Sequence, residues 1–190
     1  MQSIDNIVQK TIYEDIATLH NINTPTLLLI EKLYKYVVHS QPGEWSAYKL
    51  ASALSKDYES ITAYLHYLEQ AGLIRALFAK QVGKAYLRNP IKMYPDNTNL
   101  IYASYLSQPQ DMLLGKVRET FVINQLQSAN YSVHYSEIGD FAVDNIIIEV
   151  GGKNKTRKQI KNQPNSYILA DEIVVGSKDK IPLYLVGFLR

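Results

Sequence analysis

Apolar residues recur at helical spacing from the start of the chain: Ile4, Ile7, Val8, Ile12, Ile16 and Leu19, with Asp5, Gln9, Glu14 and Asp15 between them. The pattern predicts an amphipathic helix whose packing partner is not evident in its own segment. Thr24-Pro25 starts a second helix, because threonine caps an N-terminus and proline suits the first turn. It runs through Leu28, Leu33 and Val37 and stops at Gln41-Pro42-Gly43. Ser46 caps a short helix carrying Leu50, Ala53 and Leu54, and Ile61, Tyr64, Leu65 and Leu68 mark the next, closed by Gly72. Leu73–Ala79 is a short β-prone run that Gly83 turns back toward Ala85–Leu87. Three helices followed by a hairpin is the element order of a winged helix–turn–helix.

Ser107-Gln108-Pro109-Gln110 then breaks the periodicity, and a domain boundary is expected near Leu106–Asp111. Beyond it the pattern changes. Leu113–Leu126 reads as one strongly apolar helix, followed by strands at Tyr131–Ser136, Gly139–Val143 and Ile146–Val150. A basic segment read as a helix comes next, then strands at Tyr167–Val175 and Leu183–Phe188, which together make an α/β unit. The expected division is therefore into a winged-helix unit, 25–106, and an α/β unit, 111–190.

Within the second half, GDFAVDNIIIEVGGK (Gly139–Lys153) carries the most chemistry. A two-residue turn at Asp144-Asn145 pairs 143 with 146, 142 with 147, 141 with 148 and 140 with 149. Alternation places Phe141, Val143, Ile146, Ile148 and Val150 on one apolar face, and Asp140, Ile147, Glu149 and Gly151 on the other. Two facing carboxylates repel, so Asp140 and Glu149 call for a proton, a cation or solvent. A divalent metal held by Asp140 and Glu149, Mg²⁺ for example, is one answer and a solvated surface pair is the other. Glu119 shares a helical column with Val122, Ile123 and Leu126, so it is expected to face the sheet. There it joins the acids, caps a strand end or pairs with Lys153.

Composition narrows the possibilities. Of 190 residues, 46% are hydrophobic and 20% charged, the balance of a globular protein rather than a disordered one. The absence of cysteine removes thiolate nucleophiles, cysteine-based zinc sites and iron–sulfur clusters. His20, His39, His66 and His134 include no pair at metal-ligand spacing. The aliphatic run Leu27–Ile30 is too short to cross a bilayer and there is no secretory leader pattern, so a cytoplasmic location without membrane partners is expected.

A net charge of +2 does not announce a nucleic-acid binder, but the positive charge is clustered. Arg75, Lys80, Lys84, Arg88 and Lys92 occur with no acid between Gln70 and Pro95, and alternation puts Lys84, Tyr86 and Arg88 on one strand face. Lys153, Lys155, Arg157, Lys158 and Lys161 form a second acid-free cluster beside the carboxylate hairpin. Lys80, Lys84, Tyr86, Arg88, Lys155, Arg157 and Lys158 are the candidate contacts to DNA phosphates and bases, with a solvated face as the plainer use of such charge. The helix that would enter a major groove presents Asp57, Tyr58, Glu59, Thr62 and His66, a poor surface for a polyanion.

Four stretches, Ser60–Ile74, Arg118–Leu126, Asp140–Ile160 and Asp171–Leu189, resemble the C-terminal region of a group of bacterial AAA-type predicted ATPases, a winged helix followed by a PD-(D/E)XK nuclease-like domain. The resemblance implies an α+β chain ending in a restriction-endonuclease-like α/β domain. It also implies Glu119 as the first-helix acid, Asp140 as the metal-binding aspartate and Glu149 as the acid of the E-x-K motif. Gly151 stands where that motif has lysine, and Lys153 is the nearest substitute. The chain has no G-x-x-x-x-G-K-[ST] loop, so it is not itself the ATPase engine, and residues 1–24 resemble the end of an upstream ATPase lid. The expected function is a DNA- or partner-recognition module attached to that ATPase, catalytically weak or inactive, with a Mg²⁺-dependent DNA nuclease and a protein-interaction scaffold as alternatives.

Overall fold

A computed structural model describes residues 2–43, 45–80, 90–104 and 113–189. The chain is of mixed α+β class and divides into two compact units. One comprises Met1–Ala76 with Lys92–Gln108, the other Leu77–Ile91 with Pro109–Arg190. The expected break at Leu106–Asp111 lies outside the described residues.

The first unit opens with α1 (Gln2–Lys10), a π-helical stretch (Thr11–Ile16) and α2 (Ala17–His20), which follow one another without a break. Asn23, rather than Thr24, caps α3 (Thr24–His39): it holds the extended backbone that a cap needs, and its side chain accepts from Thr26 N at 3.1 Å. Ser46 caps α4 (Ala47–Leu54), and Asp57 caps α5 (Tyr58–Gln70) at 2.7 Å from Ser60 N. Gly72 follows with φ +68°, the left-handed conformation that ends a helix. β1 (Ile74–Leu77) pairs with β2 (Lys92–Pro95), and α6 (Thr98–Ser104) completes the unit. The expected return strand Ala85–Leu87 and its turn at Gly83 lie outside the described residues.

Residues 1–24, expected as a separate tail, are part of this unit. Val8, Ile12 and Ile16 are buried in one cluster with Ile30, Leu33, Val38, Ile61 and Leu68. The apolar stripe of this segment needed partners: α3 and α5 pack against the π-helical stretch, and α6 packs against α1. Full burial of each such side chain is worth about 1.5–3 kcal/mol, which binds the segment to this core.

The second unit sets α7 (Leu114–Ser128) against a five-stranded sheet: β3 (Val133–Tyr135), β4 (Phe141–Val143), β5 (Ile146–Gly151), β6 (Ser166–Ala170) and β7 (Lys180–Pro182), in that spatial order. Pairing is antiparallel from β3 to β5 and parallel from β5 to β7. Phe78 and Ala79 also belong here: Tyr135 N donates to Phe78 O at 2.7 Å, and Ala79 bridges Tyr135 in parallel.

Three expected elements differ. The basic segment 157–162 forms turns instead of a helix, since the Arg157 guanidinium bonds to Ser166 and Gln163 and draws the chain onto β6. Leu183–Phe188 is a 3-10 helix rather than a strand, and its buried residues, Leu183 and Val186, are three apart. Strand β6 stops at Ala170, short of the expected Val175, where Glu172 takes φ 61°. Among the described residues no helix is long and apolar enough to cross a membrane.

Candidate functional site

The β4–β5 hairpin has the expected register, with Phe141 opposite Ile148, Ala142 opposite Ile147 and Val143 opposite Ile146. Asp144 makes its turn at φ 53°, a conformation that aspartate tolerates. Just beyond the ladder, Asp140 N donates to Ile148 O at 2.9 Å, and the Asp140 carboxylate accepts from Val150 N at 2.8 Å. The backbone thereby fixes Asp140 beside Glu149.

Glu149 is 1% exposed, on the inner part of β5. Its Oε1 is ion-paired with the Lys155 ammonium, and its Oε2 has no hydrogen-bond partner among the described residues. Burial pushes its pKa above the ordinary carboxylate value. Lys155 opposes that rise, and the charges of Asp140 and Glu119 add to it. Glu119, half-buried on α7, therefore joins Asp140 and Lys155 in acting on one buried carboxylate.

The reason for Gly151 is now visible. A Cβ there would lie 2.8 Å from Cβ, Cγ and Cδ of Lys155, so the lysine stem occupies the space that a side chain at 151 would fill. A Cβ at Gly152 would approach the Arg118 guanidinium to 3.2 Å, and Arg118 is itself paired with Asp171 at 3.0 Å. The glycine pair at the end of β5 seats one cation at each position.

Lys153, expected to substitute for the motif lysine, is exposed in a turn, and Lys155 is the residue that reaches Glu149. Arg157, expected to contact DNA, donates to Ser166 O at 2.8 Å and Ser166 Oγ at 2.7 Å, and pairs with Asp179 at 3.4 Å. It is a staple between the basic segment, β6 and the start of β7. Lys158 and Lys80 are exposed, whereas Lys84, Tyr86 and Arg88 lie outside the described residues.

Residues 1–108 match a sequence family described as Domain of unknown function (DUF8612). The chain belongs to this family. No match was found among curated proteins or among solved structures. The DUF8612 span takes in the N-terminal helix and ends where the first unit ends, at Gln108, so the acid–lysine cluster lies wholly beyond it.

No group of three or more histidine, aspartate or glutamate side chains stands at metal-ligand spacing among the described residues. The Asp140–Glu149 pair nevertheless suits a divalent ion. Glu149 Oε2 is buried and unsatisfied, and Mg²⁺ commonly takes one or two carboxylates and completes its shell with water and phosphate oxygens. Sequence reasoning did not single out Arg118 or Lys180, and it read Lys155 as a DNA contact without pairing it to Glu149. The signal available was Gly151-Gly152 itself, a vacancy with lysines close behind it.

Proposed function

We propose that the second unit is a nuclease-like module that hydrolyses DNA phosphodiesters with a divalent ion, and that it works as the C-terminal part of an AAA-type ATPase. The observation that carries the reading is Lys155 seated over Gly151 with its ammonium on Glu149, beside Asp140. The expectation of a weak or inactive site rests on Gly151 standing in place of the motif lysine; what supports the active reading is that Lys155 brings an ammonium to Glu149. The tie to an ATPase rests on the resemblance of the four stretches. The order α3, α4, α5 and β1–β2 is consistent with a winged helix that docks DNA or a partner in the same assembly.

Asp140 and Glu149 would hold the ion. When bound, it acts as a Lewis acid on a phosphate oxygen and lowers the pKa of a coordinated water. The backbone bond from Val150 keeps Asp140 oriented for that role. Lys155 offsets the charge of Glu149 and offers a fixed ammonium to charge developing on phosphate. Exposed Lys153 and Lys158 supply attraction to the DNA backbone.

A nicking assay on supercoiled DNA with Mn²⁺ or Mg²⁺ tests the proposal. Cleavage is expected in wild type and in Lys153→Ala, and is expected to be lost in Asp140→Asn and Lys155→Met. One observation favours a second reading, recognition without cleavage: the Lys155 ammonium is paired with Glu149 and offsets its charge. Salt-dependent DNA binding with no nicking under either metal would establish that reading and overturn the first.

A further inference from the structure

We propose that Lys180 is a positioning residue whose ammonium, bonded to the carbonyls of Lys153 and Lys155, holds the segment that seats Lys155 over Gly151 and against Glu149. The inference rests on the nuclease reading for its catalytic meaning, though the geometry stands without it. Lys155 lies four residues beyond the end of β5, in a stretch of turns, and a lysine stem has substantial rotamer freedom. Keeping that stem on Gly151 requires its backbone to be held.

Two side chains do so, one from the sheet and one from the segment itself. Lys180 sits on β7, in register with Ile168 of β6, and its Nζ donates to Lys153 O and, at 3.1 Å, to Lys155 O. Two carbonyls of alternate residues thus converge on one ammonium that comes from 25 and 27 residues away. On the far side, Arg157 fastens the chain to Ser166 of β6. Lys155 lies between the two fastenings, and its own N–H closes a turn onto Gly152 O at 2.9 Å. Of the cations around this loop, Lys180 and Arg157 hold backbone, Lys155 holds Glu149, and Lys153 and Lys158 face outward.

The test uses the full chain with Lys180→Met and Lys180→Arg. Acylation of lysines, read by mass spectrometry with exposed Lys153 and Lys158 as references, reports whether Lys155 is held. Lys155 is expected to react slowly in wild type and about tenfold faster in Lys180→Met, the change that loss of a charge-assisted hydrogen bond implies. Lys180→Arg, which keeps the charge and donors, is expected to restore protection. In the nicking assay, Lys180→Met is expected to lower kcat with KM for DNA unchanged, whereas Lys158→Ala raises KM alone.

Unchanged Lys155 labelling in a folded Lys180→Met protein overturns the proposal, as does wild-type labelling of Lys155 as fast as that of Lys153. Should Lys180→Met not fold, Lys180→Gln, which keeps a donor without the charge, is read by the same labelling. Absence of nicking in wild type removes the nuclease reading alone, because the labelling still decides the role of Lys180.

Discussion

Gly151 shows how a missing side chain can carry information about a site. With only hydrogen on its Cα, it leaves the floor on which Lys155 lies, and a methyl group there would press on three carbons of that stem at 2.8 Å. Gly151→Ala is therefore expected to cost roughly 1–3 kcal/mol through overpacking, measured by urea denaturation, and to displace Lys155 from Glu149. In the first unit, Glu31 contributes to the pH response. Its carboxylate accepts from Tyr13 OH at 2.7 Å and Gln9 Nε2 at 3.0 Å, and pairs with Lys35 at 2.7 Å. Lys35 first and Tyr13 next pull its pKa down to about 2, while the same contact pushes Tyr13 up to about 12. A lowered carboxyl pKa contributes stability that is present above the unfolded value, near 4.5, and is lost as pH falls toward about 2. Glu31→Gln is expected to cost about 1–2 kcal/mol at neutral pH. It should also flatten the acid limb of the melting temperature against pH across that window.

At the scale of elements, the N-terminal helix and the basic segment both act differently from their local patterns. Ile12 is fully buried in the first unit's core, so Ile12→Ala is expected to destabilise that unit by about 2–5 kcal/mol in chemical denaturation. A freely solvated tail would give no measurable change. In the basic segment, neighbours separate by role. Arg157→Ala is expected to lower stability and leave the salt dependence of DNA binding untouched, because its guanidinium is bonded to Ser166. Lys158→Ala is expected to do the reverse, reducing the slope of log affinity against log salt by about one in fluorescence anisotropy.

For the whole molecule, the chain path matters more than a single boundary. The second unit takes Leu77–Ile91 from the middle of the first half, and Phe78 and Ala79 cover the edge of β3 at Tyr135. A fragment beginning at Asp111 loses that cover and exposes a strand edge, a template for association. It is expected to melt at a lower temperature than the intact chain by circular dichroism and to scatter light on heating. Retention of the intact chain's melting transition by the fragment would show that residues 77–91 contribute nothing to this core.

The features legible in the sequence depend on residues close together along the chain. Ser46 caps its helix through a side chain three residues from its partner, Gly72 takes positive φ just past the end of α5, and period-two alternation with a two-residue turn sets the β4–β5 register. These rules gave Asp140 and Glu149 as neighbours. Tertiary structure decided what surrounds them. The partner of the first helix, the union of Phe78–Ala79 with β3, the staple from Arg157 to Ser166 and the hold of Lys180 on Lys153 and Lys155 join segments that only the parallel β5–β6–β7 array and the helical core bring together. Lys155 itself is close to Glu149 in sequence. Alternation stops at the end of β5, however, and a flexible stem then finds its place by filling a vacancy, which no periodicity encodes.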